Sequence, residues 1–176
     1  LDILIFCILL GFSAFFSGSE TSFLSLDKLR LKQLESDGSA GAHRVVRLLA
    51  DPYRLLVTIL IGNMLVNIAA SSVFADAMYR YFGEKGLGLS IFIMTIIILI
   101  FGEVTPKMFA LTNAEKFARF VSLPMRGFEL VFSPVRVIFA NVSHAIVNGF
   151  GFKLSSEHQN ITMDEIRSLF TLSRKR

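Results

Sequence analysis

Three long apolar stretches, separated by short charged segments, organise this chain. Leu1 to Leu26 carries a single charge, Asp2, before Glu20. Leu55 to Ala75 carries none, and Asp51-Pro52 just ahead of it is a helix start with proline in the first turn. Leu87 to Leu111 opens with fifteen uncharged residues, Leu87 to Phe101, and then carries Glu103 and Lys107. A helix needs about 20 residues to cross a hydrocarbon layer of about 30 Å. The pattern therefore predicts an all-α membrane protein with three transmembrane helices in contact with the lipid bilayer. The first stretch lacks the basic leader and small-residue cleavage site of a signal peptide and reads as a retained anchor.

Between the first two stretches, residues 27–54 read as two short surface helices around the turn Ser36-Asp37-Gly38-Ser39-Ala40-Gly41. Beyond the third, apolar residues recur at helical spacing at 117, 120, 121, 125, 128, 132, 135, 139, 142 and 146. Arg119, Arg126, Glu129 and Arg136 interrupt that run, and Pro124 and Pro134 break it. A fourth span would bury three of these charges, so broken amphipathic helices lying at the membrane surface fit better. After Gly151 the chain turns polar, and Thr162-Met163-Asp164-Glu165 resembles a capping box opening one more helix. The expected organisation is a membrane domain with a juxtamembrane helix belt over 1–150. A polar cytoplasmic linker over 151–176 would then lead, past Arg174-Lys175-Arg176, to a soluble domain.

Charge orients the spans. Of 18 Lys and Arg, six lie between the first two stretches, two (Arg80 and Lys85) between the second and third, and ten in or after the third. The positive-inside rule places residues 27–54 and the C-terminus in the cytoplasm and the N-terminus outside, in the cell (inner) membrane. The net charge of +4 does not signal nucleic acid, because the basic residues flank apolar segments without interleaved aromatics. Cys7 is the one cysteine, which excludes a disulfide framework and a thiolate metal cluster.

The chemistry concentrates in the third stretch. Glu103 lies where hydrocarbon is expected on both sides, and an ionisable group at that depth marks a functional site. Pro106 has no N–H to give the carbonyl four residues back, which is that of Gly102. Unwound backbone is tolerated there only where it lines a cavity or is buried in protein. Ser13, Ser17 and Glu20 share one face of the first span, and Asn63, Asn67 and Ser71 one face of the second. Counted from the charged flanks at about 1.5 Å per residue, Ser17, Asn67 and Glu103 lie roughly 16–20 Å deep, near mid-membrane. Singly, Ser and Asn would read as interhelical hydrogen-bonding groups. Together with Glu103 and the Gly102 carbonyl they read as a hard-cation site built from oxygen. Mg²⁺ suits such a set, Ca²⁺ recruits more carboxylates, and Na⁺ or a proton would also fit. A serine hydrolase does not fit, because His43, His144 and His158 lie outside the spans and leave no base at that depth. The expectation is a protein that is not an enzyme. A transporter and a non-transporting membrane metal sensor or scaffold both remain open on these residues.

Three segments carry a family resemblance: Ser13-Ala14-Phe15-Phe16-Ser17-Gly18-Ser19-Glu20-Thr21, Gly62-Asn63-Met64-Leu65-Val66-Asn67 and Gly102-Glu103-Val104-Thr105-Pro106-Lys107. Their order, spacing and placement resemble the signatures of the CorC/cyclin M (CNNM) magnesium transporters, over residues 1 to about 150. The resemblance implies a homodimer with three spans per protomer, a juxtamembrane helix belt, and Mg²⁺ export driven by Na⁺. It implies Ser13, Ser17, Asn67, the Gly102 carbonyl and Glu103 as Mg²⁺ ligands, with Asn63, Glu20, Pro106 and Lys107 in support. ATP would act only through a paired nucleotide-binding module of full-length members, which this chain does not reach.

Overall fold

The computed structural model describes residues 2–149; the polar segment 151–176 and its capping box lie outside the described residues. The chain divides into two units, Leu1–Val137 and Ile138–Arg176. Among the described residues every regular element is helical. Three uninterrupted helical stretches, Asp2–Leu24, Pro52–Phe82 and Glu84–Thr112, are long and apolar enough to cross a membrane.

Helix α1 (Asp2–Leu24) is the first span. Two short helices follow, α2 (Lys28–Ser36) and α3 (Ala40–Leu49), on either side of the expected turn. Asp27 and Ser39 cap them, accepting from the amides of Arg30 and Ala42, which satisfies donors that have no partner within the helix. The second span, α4 (Pro52–Phe82), is capped by Asp51 and runs seven residues past Ala75, where its apolar stretch was expected to end. Arg80 is therefore helical rather than in a loop. It pairs with Asp76 one turn back and with Asp2 at 3.4 Å, and these charges extend the helix beyond the apolar stretch. Gly83, at φ 62°, is the whole connection to α5 (Glu84–Ile97). A Cβ at Gly86 would lie 2.4 Å from the Met78 carbonyl, so this hairpin closes backbone on backbone.

The third span is a composite. α5 passes into a π-helical segment, Ile98–Val104, and then into α6 (Thr105–Thr112). Unwinding at Pro106 was expected; instead the helix widens ahead of it. The Thr105 amide donates to Ile100, five residues back, and Pro106 then falls in the first turn of α6, where a missing N–H costs least. The backbone has accommodated the proline by a change of register, not by a break.

Of the expected belt, α7 (Ala114–Val131) lies in the first unit, and α8 (Ser133–Gly149) begins there and continues into the second. Pro124 does not break α7; the interruption comes at Phe132, ahead of Pro134. The carbonyl that Pro124 cannot serve is that of Phe120, a residue 76% exposed, so an outside donor can replace the lost bond. Nor are the loop helices confined to the surface. Ala42, Val45 and Leu48 of α3 join Ala118, Val121 and Met125 of α7 and Phe16, Phe23, Leu55 and Ile59 of the spans in one buried cluster. Phe128 packs on Phe16 with ring centroids 4.9 Å apart. α3, α7 and the ends of α1 and α4 thus share a core, and a fully buried side chain of this size stabilises by roughly 1.5–3 kcal/mol.

Polar contacts fix the same end. Arg119 Nη1 lies 2.5 Å from Asp37, and Arg119 also donates to Ser39 and Glu115. The hydrogen bond from Arg119 holds the Asp37 carboxyl below its usual range. Glu129, which sequence placed among charges at the surface, is buried opposite Arg54 at 3.8 Å. Burial raises its carboxyl above the usual range, against the opposing pull of Arg54.

Candidate functional site

Three spans bring their polar residues to one level. Ser13, buried on α1, donates to Asn67 Oδ1 of α4 at 2.6 Å. Gly102, in the π segment, backs directly onto the same hydroxyl, since a Cβ there would lie 2.6 Å from Ser13 Oγ. One turn further along α1, Ser17 is also buried, and its hydroxyl points at the Glu103 carbonyl at a long 3.4 Å. Glycine permits the approach of α1 to α4 as well. A Cβ at Gly62 would meet the Phe16 ring at 2.4 Å, so only a bare backbone lets that ring settle beside Asn63.

The π register exposes more backbone than sequence suggested. Pro106 cannot donate to Gly102, as expected. In addition, the Thr105 amide goes to Ile100 instead of Phe101, and the next candidate donor for Phe101, five residues on, is the proline itself. Two consecutive carbonyls, Phe101 and Gly102, therefore lose their α-helical donors. Single π turns inside α-helices often sit at functional sites. Sequence reasoning found Gly102 and missed Phe101, because a proline marks its own missing donor but not the register of the turn before it.

Besides its carbonyl, which faces Ser17, Glu103 has a second environment. It lines an open cleft of about 440 Å³ between α4 and α5, with Ser71, Ser90 and Thr95 among the other lining residues. Asn67 and Ser71 line a neighbouring cleft of about 450 Å³, so Ser71 borders both. Ser90 and Thr95 were not singled out from sequence. Each donates its hydroxyl proton to its own helix, to Leu87 and Ile91, at 2.7 Å, so each hydroxyl oxygen can still accept. Among the described residues the Glu103 carboxylate has no ion-pair or hydrogen-bond partner. No three His, Cys, Asp or Glu side chains cluster there either. A cation here would rest on one carboxylate plus hydroxyl, amide and carbonyl oxygens, a hard-ion set.

The two asparagines of α4 differ in their partners. Asn63 Oδ1 is buried without a hydrogen-bond partner among the described residues, while Asn67 Oδ1 accepts the interhelical bond from Ser13. Asn67→Ala leaves the buried Ser13 hydroxyl without its acceptor, at a cost of roughly 1–3 kcal/mol. Asn63→Ala removes an oxygen that nothing satisfies. Thermal unfolding in detergent is expected to show the larger loss for Asn67→Ala, and the reverse order would contradict this assignment. Ser17→Ala removes only a long hydrogen bond and should unfold close to the parent temperature. Lys107 and Glu20, one turn nearer the helix ends, form an ion pair at 3.0 Å.

Three apolar helices, a buried polar layer between them and a belt at one end define a multi-pass helical membrane domain. A profile of the cyclin M transmembrane N-terminal domain matches residues 4–176, and the chain belongs to that family. It is 38% identical over 167 residues to a UPF0053 protein of Haemophilus influenzae, covering 95% of this chain and 39% of that one. It is 32% identical over 163 residues to the UPF0053 inner membrane protein YfjD of Escherichia coli, covering 92% and 38%. A polyamine export protein of Salmonella typhimurium is 30% identical over 177 residues, covering 93% and 39%. The chain spans about a quarter to two fifths of the length of the curated relatives it matches.

Proposed function

We propose that this domain is the membrane-embedded pathway of a Mg²⁺ exporter. The observation that carries the reading is the partly buried polar layer where Ser13 bonds to Asn67, Gly102 abuts Ser13, and Ser17 faces the Glu103 backbone. Mg²⁺ demands oxygen ligands, usually keeps some of its waters, and needs only one or two carboxylates. Glu103 supplies one; Ser13, Ser17, Asn67 and the Gly102 carbonyl supply neutral oxygens. Na⁺ influx is the proposed driving force and a homodimer the proposed assembly; both rest on the resemblance of the three motifs. The proposed orientation puts the belt in the cytoplasm, in keeping with the excess of Lys and Arg on that side.

A second reading has its own support. Polyamines are flexible chains of methylenes and ammonium groups, and the 440 Å³ cleft offers Ile91, Met94, Ile98 and Leu99 beside one carboxylate. The Salmonella typhimurium relative, a polyamine export protein, points the same way. Full-length protein in liposomes under an inward Na⁺ gradient separates the readings. Export of Mg²⁺ that saturates and requires Glu103 is expected. Spermidine flux without Mg²⁺ flux would favour the second reading, and no flux of either would leave a sensor or scaffold.

Pro106→Ala tests the ligand set. The restored N–H can donate to Phe101 or Gly102 and withdraw a carbonyl from the site. Mg²⁺ affinity by calorimetry should fall several-fold, in a protein unfolding at the parent temperature or higher. Unchanged affinity would remove the backbone carbonyls from the ligand set.

A further inference from the structure

Lys107 Nζ lies 3.0 Å from Glu20 Oε2, joining α6 to α1. Glu20 is three residues beyond Ser17, and Lys107 is four beyond Glu103, so the pair stands one helical turn from the buried layer. α1 ends at Leu24 and α6 at Thr112. At about 1.5 Å per residue the pair lies roughly 6–8 Å from those ends, against about 10–14 Å for Ser17 and Glu103. It therefore stands between the buried layer and the belt side. The seam around it is tight, for a Cβ at Gly18 would meet the Phe117 ring at 2.8 Å and the Pro106 carbonyl at 3.5 Å. The side chains of Lys107 and Glu20 are nonetheless 42% and 36% exposed.

We propose that Glu20 is a staging site for the divalent cation between the belt side and Glu103, and that Lys107 is a tethered cation holding that carboxylate when no ion is present. The inference rests on reading Glu103 as the centre of a cation site. An unpaired carboxylate at this depth is costly, and the ammonium offsets that cost while remaining easy to displace. It is a point charge on a flexible stem that can swing its head back to water. Glu115, toward the helix ends, is held differently, by Arg30 at 3.3 Å and by two donors of Arg119 at 2.8 and 3.2 Å. Two planar guanidinium groups release a carboxylate far less readily, so Glu20 is the exchangeable one. A divalent ion arriving at Glu20 displaces Lys107 and meets the unpaired charge of Glu103 one turn deeper.

The two halves of the pair should then respond in opposite directions. With full-length protein in liposomes, Lys107→Met frees the carboxylate, and the half-saturating Mg²⁺ for flux should fall roughly three- to tenfold. Glu20→Gln removes the carboxylate, and the same quantity should rise by a similar factor. Equilibrium Mg²⁺ affinity by calorimetry should stay within about twofold of wild type in both, because Glu103 is intact. If Glu20→Gln does not fold, Glu20→Asp keeps the charge with a shorter reach and should give a smaller rise. A pair that only cements α1 to α6 would shift both variants in the same direction, alongside lower unfolding temperatures, and that result overturns the staging site alone. Wild-type protein without Mg²⁺-dependent flux overturns both readings.

Discussion

Glu103→Gln is expected to weaken Mg²⁺ binding at least a hundredfold, about 2.8 kcal/mol, while leaving the fold in place. Two features of the structure make the effect large. The other oxygens of the layer, from Ser13, Ser17, Asn67 and Gly102, are neutral, and the nearest carboxylate along the seam, Glu20, stands one turn away and is already paired with Lys107. A divalent ion brought into low dielectric without a counter-charge loses most of what balances its desolvation. The fold should survive because no ion pair is broken: the carboxylate faces the α4–α5 cleft without a partner. Glutamine keeps the volume and removes a charge that is expensive to hold at that depth. Unfolding without metal should therefore occur at or above the parent temperature. Calorimetry on detergent-solubilised protein measures the first expectation and thermal unfolding the second. Parent-level affinity in this variant would sink the assignment of the site.

Much of this architecture can be read from residue order, because hydrophobic length is a crude and robust signal. Three apolar stretches become three spans, and the turn at Ser36–Gly41 separates two helices as expected. What could not be read depends on how neighbouring helices are rotated. Asn63 and Asn67 lie one turn apart on a single face, so counting residues gives their depth but not which of them meets Ser13. The loop helix α3 looks like surface because it carries His43, Arg44 and Arg47, yet Ala42, Val45 and Leu48 carry it into the core. The π segment leaves no trace in composition at all. A bond to the fifth residue instead of the fourth uses the same side chains, and only Pro106 hints that the ladder changes there. The proline marks its own missing donor, and the widened turn ahead of it adds a second carbonyl, that of Phe101.

Gly102→Ala carries the second large effect, and its sign runs against ordinary helix propensity. In an exposed helix interior this substitution stabilises by up to about 1 kcal/mol. Here the new methyl would lie 2.6 Å from Ser13 Oγ and 3.4 Å from Ser13 Cβ. Ser13 is fully buried, and its hydroxyl already spends its proton on Asn67 at 2.6 Å. To make room the hydroxyl must rotate away, leaving Asn67 Oδ1 without its donor, a loss of roughly 1–3 kcal/mol. The net expectation is a protein less stable than the parent by about 1–2 kcal/mol. Mg²⁺ affinity should fall at least tenfold, because Ser13, Asn67 and the Gly102 carbonyl are displaced together. A second change separates the two consequences. Ser13→Ala in the Gly102→Ala background removes the overlapping oxygen but still leaves Asn67 without its donor, so the unfolding temperature should recover only in part while Mg²⁺ affinity does not recover. Recovery of both would make Ser13 a steric neighbour instead of a ligand. A Gly102→Ala protein that unfolds later and binds Mg²⁺ normally would mean that the π segment can carry a side chain at its narrowest contact. The close approach of α1 to the third span would then have no part in holding the ion.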